Sequence, residues 1–217
     1  MNPEISILIP THNRPKLFKR ALNSVLNNRI VYPIEVIVNN DTDDIVEIYH
    51  DDIDIRYFYE KHLDISRIYK TLFDHARGRF VYYLEDDDYL RDDFFTNLDL
   101  TYDINYFEYI SNDLLRYMHP VKAFKRIACN RSQERDLSKF LKDFDDTDFQ
   151  LGQILFKKDK LTTFPVGNNI HNDWYLFKQL AREDCTIKYI YEQKWVQTFD
   201  GGDNISFPEF NKDERFC

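Results

Sequence analysis

The apolar run Phe80-Val81-Tyr82-Tyr83-Leu84 stops abruptly at four consecutive carboxylates, Glu85-Asp86-Asp87-Asp88, followed by Tyr89-Leu90. A run that is apolar at every position suits a strand covered on both faces, as in a parallel sheet. Acids this close repel one another, and the repulsion disfavours leaving all of them ionised. A divalent cation relieves it, and hard carboxylate oxygens suit Mg²⁺ or Mn²⁺. In an open α/β sheet, ligands bind beyond the carboxyl ends of the strands. A buried strand ending in carboxylates therefore predicts a metal–phosphate site. The competing reading of an acidic run is a solvated loop. The direct junction with an apolar strand, and matching pieces elsewhere, weigh against it.

Those pieces lie upstream. Ile5 to Ile9 is a short apolar run ending at Pro10, and the polar stretch Thr11-His12-Asn13-Arg14 follows. Asn13 is expected to cap a helix, with Pro15 in its first turn. Leu17, Phe18, Ala21, Leu22, Val25 and Leu26 recur at helical spacing and make one apolar face. Ile34 to Val38 reads as a second strand that breaks into Asn39-Asn40-Asp41-Thr42-Asp43-Asp44, a loop opening a short helix. Ile55 to Tyr59 reads as a third strand. Ile65, Ile68, Tyr69, Leu72, Phe73 and Ala76 form a second helical stripe, stopped near Gly78. This alternation predicts an α/β fold with a mostly parallel sheet and helices on both faces. Its polar strand ends, Thr11 to Arg14, Asn39 to Asp41 and Glu85 to Asp88, converge on one edge, where a nucleotide would sit.

The second half is less regular. Tyr106 to Ile110, Gln153 to Phe156 and Ile187 to Tyr191 read as strands, and Asn172 to Arg182 as a helix with Trp174, Phe177, Leu180 and Ala181 on its apolar face. Basic residues interleaved with aromatics at 114–131 fit either an anion-facing patch or a solvated edge. The second acidic run, Asp143 to Asp148, reads as an exposed loop.

At 217 residues the chain is long enough to bury a real core, and 43% hydrophobic residues exclude a disordered chain. A net charge of −9 argues against broad nucleic-acid binding. Cys129, Cys185 and Cys217 show neither paired spacing nor an even count, so no disulfide framework or zinc site is implied, and a reducing compartment follows. Met1-Asn2-Pro3-Glu4 does not open a signal peptide, and no apolar run reaches membrane-spanning length. A soluble cytoplasmic protein is expected; peripheral attachment to a membrane stays open.

Ser6 to Pro15 with Leu22-Asn23-Ser24-Val25-Leu26 resembles the opening of family 2 glycosyltransferases. Glu35 to Asp41 is similar to their second strand and its acidic end. Ala76-Arg77-Gly78-Arg79-Phe80-Val81 before Leu84 to Asp88 is similar to the approach to their D-x-D metal motif. Asn172-Asp173-Trp174 with Phe177 to Leu180 resembles the late acidic helix start that carries their catalytic base. The resemblance covers residues 4–100 well and 150–207 more loosely. It implies a GT-A fold, a nucleotide-sugar donor (a UDP-sugar in the first place), Mn²⁺ or Mg²⁺, and inversion at the anomeric carbon. Residues 1–100 would bind the donor, and residues 101–217 would form the acceptor-binding half of the same domain. The acceptor would be a saccharide, a lipid-linked saccharide or another hydroxyl compound.

The chemistry needs these residue types. A departing nucleoside diphosphate must be stabilised, and a cation bridging its phosphates neutralises the developing charge. The acceptor hydroxyl loses a proton as it attacks, so a carboxylate in reach serves as general base. By this resemblance Asp87 is the foremost metal ligand. Asp88 would bind through water or orient the loop, while Glu85 and Asp86 would help or touch the donor sugar. Asp41, or Asn40 beside it, would meet the nucleobase edge. Pro10, Thr11 and Asn13 would lie near base and ribose, with Arg14 beside them or the diphosphate. Arg67 would be a basic donor contact, and Asp173 the base. The sequence departs from the family where Asn40-Asp41-Thr42 replaces paired acids and where His62-Leu63-Asp64 replaces Asn-x-Gly. A late metal-assisting histidine has no match near Phe199 to Asp203, a Gly-rich turn read as a flap over the donor. Three other readings compete: a nucleotidyltransferase, for which the loop after Pro10 lacks glycines; an aspartate-nucleophile phosphatase, whose acidic motif would stand on an early strand with Thr or Val two residues later, where Leu90 and the late position fit poorly; and a non-catalytic sugar-nucleotide-binding module.

Overall fold

The structure is a computed structural model that describes residues 2–42, 47–61, 65–111, 151–164, 176–177, 179–180, 183 and 185–198. The four strands expected in the first half form as β1 (Ile5–Thr11), β2 (Ile34–Asn40), β3 (Asp54–Phe58) and β4 (Phe80–Tyr83). Helices α1 (Pro15–Leu26) and α2 (Ile65–His75) alternate with them. The remaining strands are β5 (Tyr89–Leu90), β6 (Ile104–Ser111), β7 (Ile154–Lys157) and β8 (Ile187–Gln197). All eight join one sheet in the order β3-β2-β1-β4-β7-β6-β8-β5. Its β3-β2-β1-β4 half is parallel throughout. Antiparallel pairing enters with β7, which lies against both β4 and β6, and with β5 against β8.

The two faces of β1 explain the two helices. Ile5, Ile7 and Ile9 share one apolar cluster with Phe18, Ala21, Leu22 and Val25 of α1. Leu8 points the other way, into a cluster with Ile68, Leu72 and Phe73 of α2. Side chains alternate across a strand, so an all-apolar β1 needs a helix on each side. Leu176, Phe177 and Leu180, on the predicted late helix, are buried in the α2-side cluster.

Asn13 is not the helix cap. Arg14 holds that position with no side-chain cap bond, and Pro15 stands in the first turn as expected. Asn13 instead adopts φ 53°, a left-handed conformation asparagine tolerates better than most residues. The chain turns there, and the Arg14 side chain is turned toward the acids of β4.

At the opposite end of the sheet, Gly78 meets β1 so closely that a Cβ would lie 2.6 Å from the Ser6 amide nitrogen. Its N–H donates to Ser6 Oγ at 2.8 Å. Ser6 Oγ in turn donates to the buried Glu35 at 2.6 Å. Only glycine fits here, and its approach sets where β4 starts relative to β1 and therefore where the acids emerge.

β8 runs further than its apolar stretch Ile187 to Tyr191 indicates, to Gln197, and its pairing with β6 shifts register near Glu108. β5 has two residues, too short for a periodicity signal, yet it pairs Tyr89 with Val196 and Leu90 with Trp195. The acid run is thus a turn pinned at both ends, by β4 in the parallel half and by β5 on β8. No helix among the described residues is long and apolar enough to cross a membrane.

Candidate active site

The tips of β1, β2 and β4 meet because these strands are neighbours in the sheet. Pro10 pairs with Asn39 and Thr11 with Asn40, while the Leu84 N–H donates to Leu8 O at 2.9 Å and leads into the acids. Thr11 Oγ1 donates to Asp86 Oδ2 at 2.8 Å, and the His12 N–H reaches the same oxygen at 3.4 Å. Arg14 Nη1 donates to Asp86 Oδ1 at 2.9 Å and to Asp87 Oδ2 at 3.3 Å.

Each acid has its own partner. Asp86, Asp87 and Asp88 are buried, and Glu85 is half-buried. Tyr69, whose ring belongs to the α2-side core, donates its hydroxyl to Glu85. Asp88 Oδ1 accepts the Thr198 N–H at 2.8 Å. Thr198 Oγ1 and Arg20 Nη2 both donate to the Asp87 carbonyl oxygen. Arg20 also reaches Thr198 Oγ1 at 3.0 Å.

Burial pushes the Glu85 carboxyl up to about 8, the neighbouring charges of Asp87 and Asp86 add to it, and Tyr69 only partly opposes it. Burial likewise raises Asp86, against the pull of Arg14 and Thr11. Asp88 is raised well above the usual carboxylate range, first by burial and then by the Asp87 charge. Burial and mutual repulsion thus favour the protonated forms of Glu85 and Asp88 while no cation is bound.

Asn39 and Asn40 take building roles. Asn39 ties the ends of β2 and β3 by donating to Glu60 O at 3.2 Å. Asn40 Oδ1 accepts the Thr42 N–H at 3.3 Å and its hydroxyl at 3.0 Å, and its amide returns to Thr42 O. Asp41 Oδ1 lies 2.5 Å from Nδ1 of the exposed His12, bridging the tips of β1 and β2. The Asn13 N–H donates to Thr42 Oγ1 at 3.4 Å. Arg67 stands exposed in the first turn of α2, the helix that also sends Tyr69 to Glu85. Asp173, residues 62–64, the runs 114–131 and 143–148, and Phe199 to Asp203 lie outside the described residues.

Arg20, Tyr69 and Thr198 were not anticipated at this site. Tyr69 is legible as an apolar helix position, but nothing in the sequence announces its hydroxyl bond to Glu85. Thr198 sits 110 residues from Asp88 and reaches it only because β5 pairs with β8.

Among the described residues, no group of three or more His, Cys, Asp or Glu side chains forms a metal cage. Mg²⁺ and its like do not need one: they are held by one or two carboxylates plus substrate phosphates. An all-oxygen donor set, whose ionised forms a cation would favour, fits such an ion.

A sheet of this order, with carboxylates at a buried strand tip beside two polar loops, defines an α/β protein whose polar residues gather where open α/β sheets bind ligands. Residues 6–105 match the sequence profile of glycosyl transferase family 2. That stretch, a little under half of the chain, is similar to this family. A curated relative, the GalNAc(5)-diNAcBac-PP-undecaprenol beta-1,3-glucosyltransferase of Campylobacter jejuni, is 32% identical over 102 residues, covering 41% of this chain and 31% of its own length. The chain therefore spans about a third of that relative. Among solved structures, S. aureus TarS 1-349 in complex with UDP-GlcNAc superposes with a TM-score of 0.66 at 14% identity, covering 94% of this chain and 60% of that one. The mannosyltransferase PcManGT from Pyrobaculum calidifontis, in complex with GDP-Man and Mn²⁺, gives a TM-score of 0.61 at 17% identity, covering 91% and 57%. Both likenesses identify the fold as GT-A.

Proposed function

We propose that the chain transfers a sugar, with inversion, from a nucleotide-sugar to a hydroxyl of a glycan or lipid-linked acceptor, with a UDP-sugar as donor. The observation that carries this reading is the convergence of the β1 tip on the acids of β4, with Thr11 and Arg14 both bonded to Asp86. The UDP-GlcNAc complex of TarS supports a UDP-sugar, and the name of the Campylobacter relative, a glucosyltransferase of a PP-undecaprenol-linked saccharide, supports a lipid-linked acceptor. Residues 1–100 are the donor-binding half and residues 101–217 the acceptor-binding half.

In this reading Asp87 holds Mn²⁺ or Mg²⁺, and Asp88, fixed by Thr198, orients the loop or contributes through water. When bound, that ion neutralises charge on the departing diphosphate. Asp86, held by Thr11, fixes the β1 loop beside the donor. His12 and Asp41 offer ring and carboxylate to the nucleobase and ribose. Arg67 is a basic donor contact. Asp173 takes the proton from the acceptor hydroxyl as that oxygen attacks the anomeric carbon and the diphosphate leaves.

The test is nucleoside diphosphate release from a panel of nucleotide sugars with Mn²⁺ and candidate acceptors. Asp173→Asn is expected to keep donor binding and to lose about 10²- to 10⁴-fold in transfer, the usual contribution of a general base. Unchanged transfer would remove Asp173 from that role. Donor binding without turnover across all acceptors would favour a non-catalytic module.

Cation binding has a thermal readout. The folded Glu85 carboxyl is raised from 4.5 to about 8, so the unfolded chain releases this proton first as pH rises. Without a cation, folding therefore loses stability between those two values. A cation that needs the ionised cluster stabilises the fold most at the alkaline end. At about a hundred times its Kd a ligand adds about 2.7 kcal/mol, which at this size raises Tm by about 5–10 °C. That shift is expected with Mn²⁺ at pH 8 and should largely vanish at pH 5. Equal shifts at both would contradict the assignment.

A further inference from the structure

Arg14 occupies the acid cluster in the way a cation would. One nitrogen, Nη1, bridges Asp86 Oδ1 at 2.9 Å and Asp87 Oδ2 at 3.3 Å. The carboxylates are almost closed off, with side chains 5% and 11% exposed, and the arginine itself is 18% exposed. Screening by water is weak there, so this one positive charge matters more than a surface pair would.

The two contacts are not equivalent. Asp86 is held from three directions, by Arg14 at one oxygen and by Thr11 Oγ1 and the His12 N–H at the other. The Asp87 contact is the longer, and Arg20 and Thr198 hold the backbone carbonyl of Asp87. A divalent ion arriving at Asp87 can therefore take Oδ2 without dismantling Asp86 or the loop.

We propose that Arg14 is a resident counter-cation that couples the two ligands of this site: a divalent metal must displace it from Asp87, and the nucleotide's diphosphate then re-pairs it. This rests on the nucleotide-sugar reading above. The guanidinium opposes metal binding while no anion is present, by competing for the carboxylate and by repelling the ion. A diphosphate removes both penalties, since a planar guanidinium matches phosphate oxygens. Metal and nucleotide then strengthen each other's binding by the same factor, as linkage requires.

The experiment is Mn²⁺ titration, read by electron paramagnetic resonance of the free ion, on the full chain with and without UDP. In the wild type, UDP is expected to tighten Mn²⁺ at least about tenfold, and calorimetry should find the same factor for UDP with and without Mn²⁺. In Arg14→Gln, checked for folding by circular dichroism, Mn²⁺ alone should bind about tenfold tighter, UDP should bind more weakly, and their coupling should shrink. Arg14→Lys, which keeps the charge, should leave Mn²⁺ affinity near the wild-type value. A folded Arg14→Gln whose Mn²⁺ affinity is unchanged or weaker overturns the proposal, and so does wild-type protein that binds both ligands independently. Wild-type protein that binds neither ligand overturns the nucleotide-sugar reading itself.

Discussion

On the proposed function, replacing Asp87 by asparagine is expected to lower sugar transfer by roughly 100- to 1,000-fold and to leave the protein as stable as before, or more so. The two halves of this expectation come from one fact, that Asp87 is a buried carboxyl among other buried carboxyls. Its anion pushes up both Glu85 and Asp88. Asparagine has the same shape and removes that repulsion. The loop is expected to keep its form, because Arg20 and Thr198 hold the backbone carbonyl of residue 87. What is lost is the negative oxygen a divalent ion needs. Diphosphate release with Mn²⁺, beside a thermal melt, separates the outcomes. Lost activity with unchanged or raised Tm places Asp87 at the chemistry. Lost activity with a melted fold would make it structural, and wild-type transfer would remove it from the site.

How far the sequence could be read depended on whether a feature is local. β1, α1 and β4 were legible because burial on two faces leaves an unbroken apolar run and burial on one face leaves a helical stripe. The acid run was legible because composition switches from apolar to acidic at Leu84–Glu85. The pairing of Arg14 with Asp86 and Asp87 was not legible. It spans 72 and 73 residues and exists because β1 and β4 are sheet neighbours. Asn13 and Arg14 are both polar before Pro15, and pattern alone does not say which caps the helix; the left-handed turn at Asn13 decided it. β5 was missed because two residues carry no period, and with it went the route by which Thr198 reaches Asp88. The bonds that tie the Asn40 side chain to Thr42 were not legible either, since no pattern announces such a turn.

The second large effect lies at the far end of the sheet. Glu35→Ala is expected to destabilise the fold by about 3 kcal/mol, at the lower end of the range for breaking a buried ion pair, and to lower Tm by about 6–12 °C at this size. Glu35 is fully buried on β2. Its carboxylate accepts from Ser6 Oγ at 2.6 Å, the Arg77 N–H at 2.7 Å, Arg77 Nε at 2.8 Å and Arg56 Nη2 at 2.8 Å. Alanine leaves Ser6 and a backbone N–H without this acceptor. The guanidiniums can rehydrate, since their side chains are 25% and 50% exposed, and this keeps the cost near the bottom of the range. Burial alone would raise the Glu35 carboxyl; the bonds from Ser6, Arg77 and Arg56 outweigh it and hold the group below its ordinary 4.5. A carboxylate depressed in the folded state contributes stability at pH above its unfolded value, and that contribution is lost as pH falls through the folded one. Wild type should therefore lose this increment only below about pH 4.5, and Glu35→Gln, which cannot ionise, should lack it. Urea melts of both proteins from pH 7 down to pH 3 check the sign. Parallel pH profiles would show that the Glu35 charge does not support the sheet.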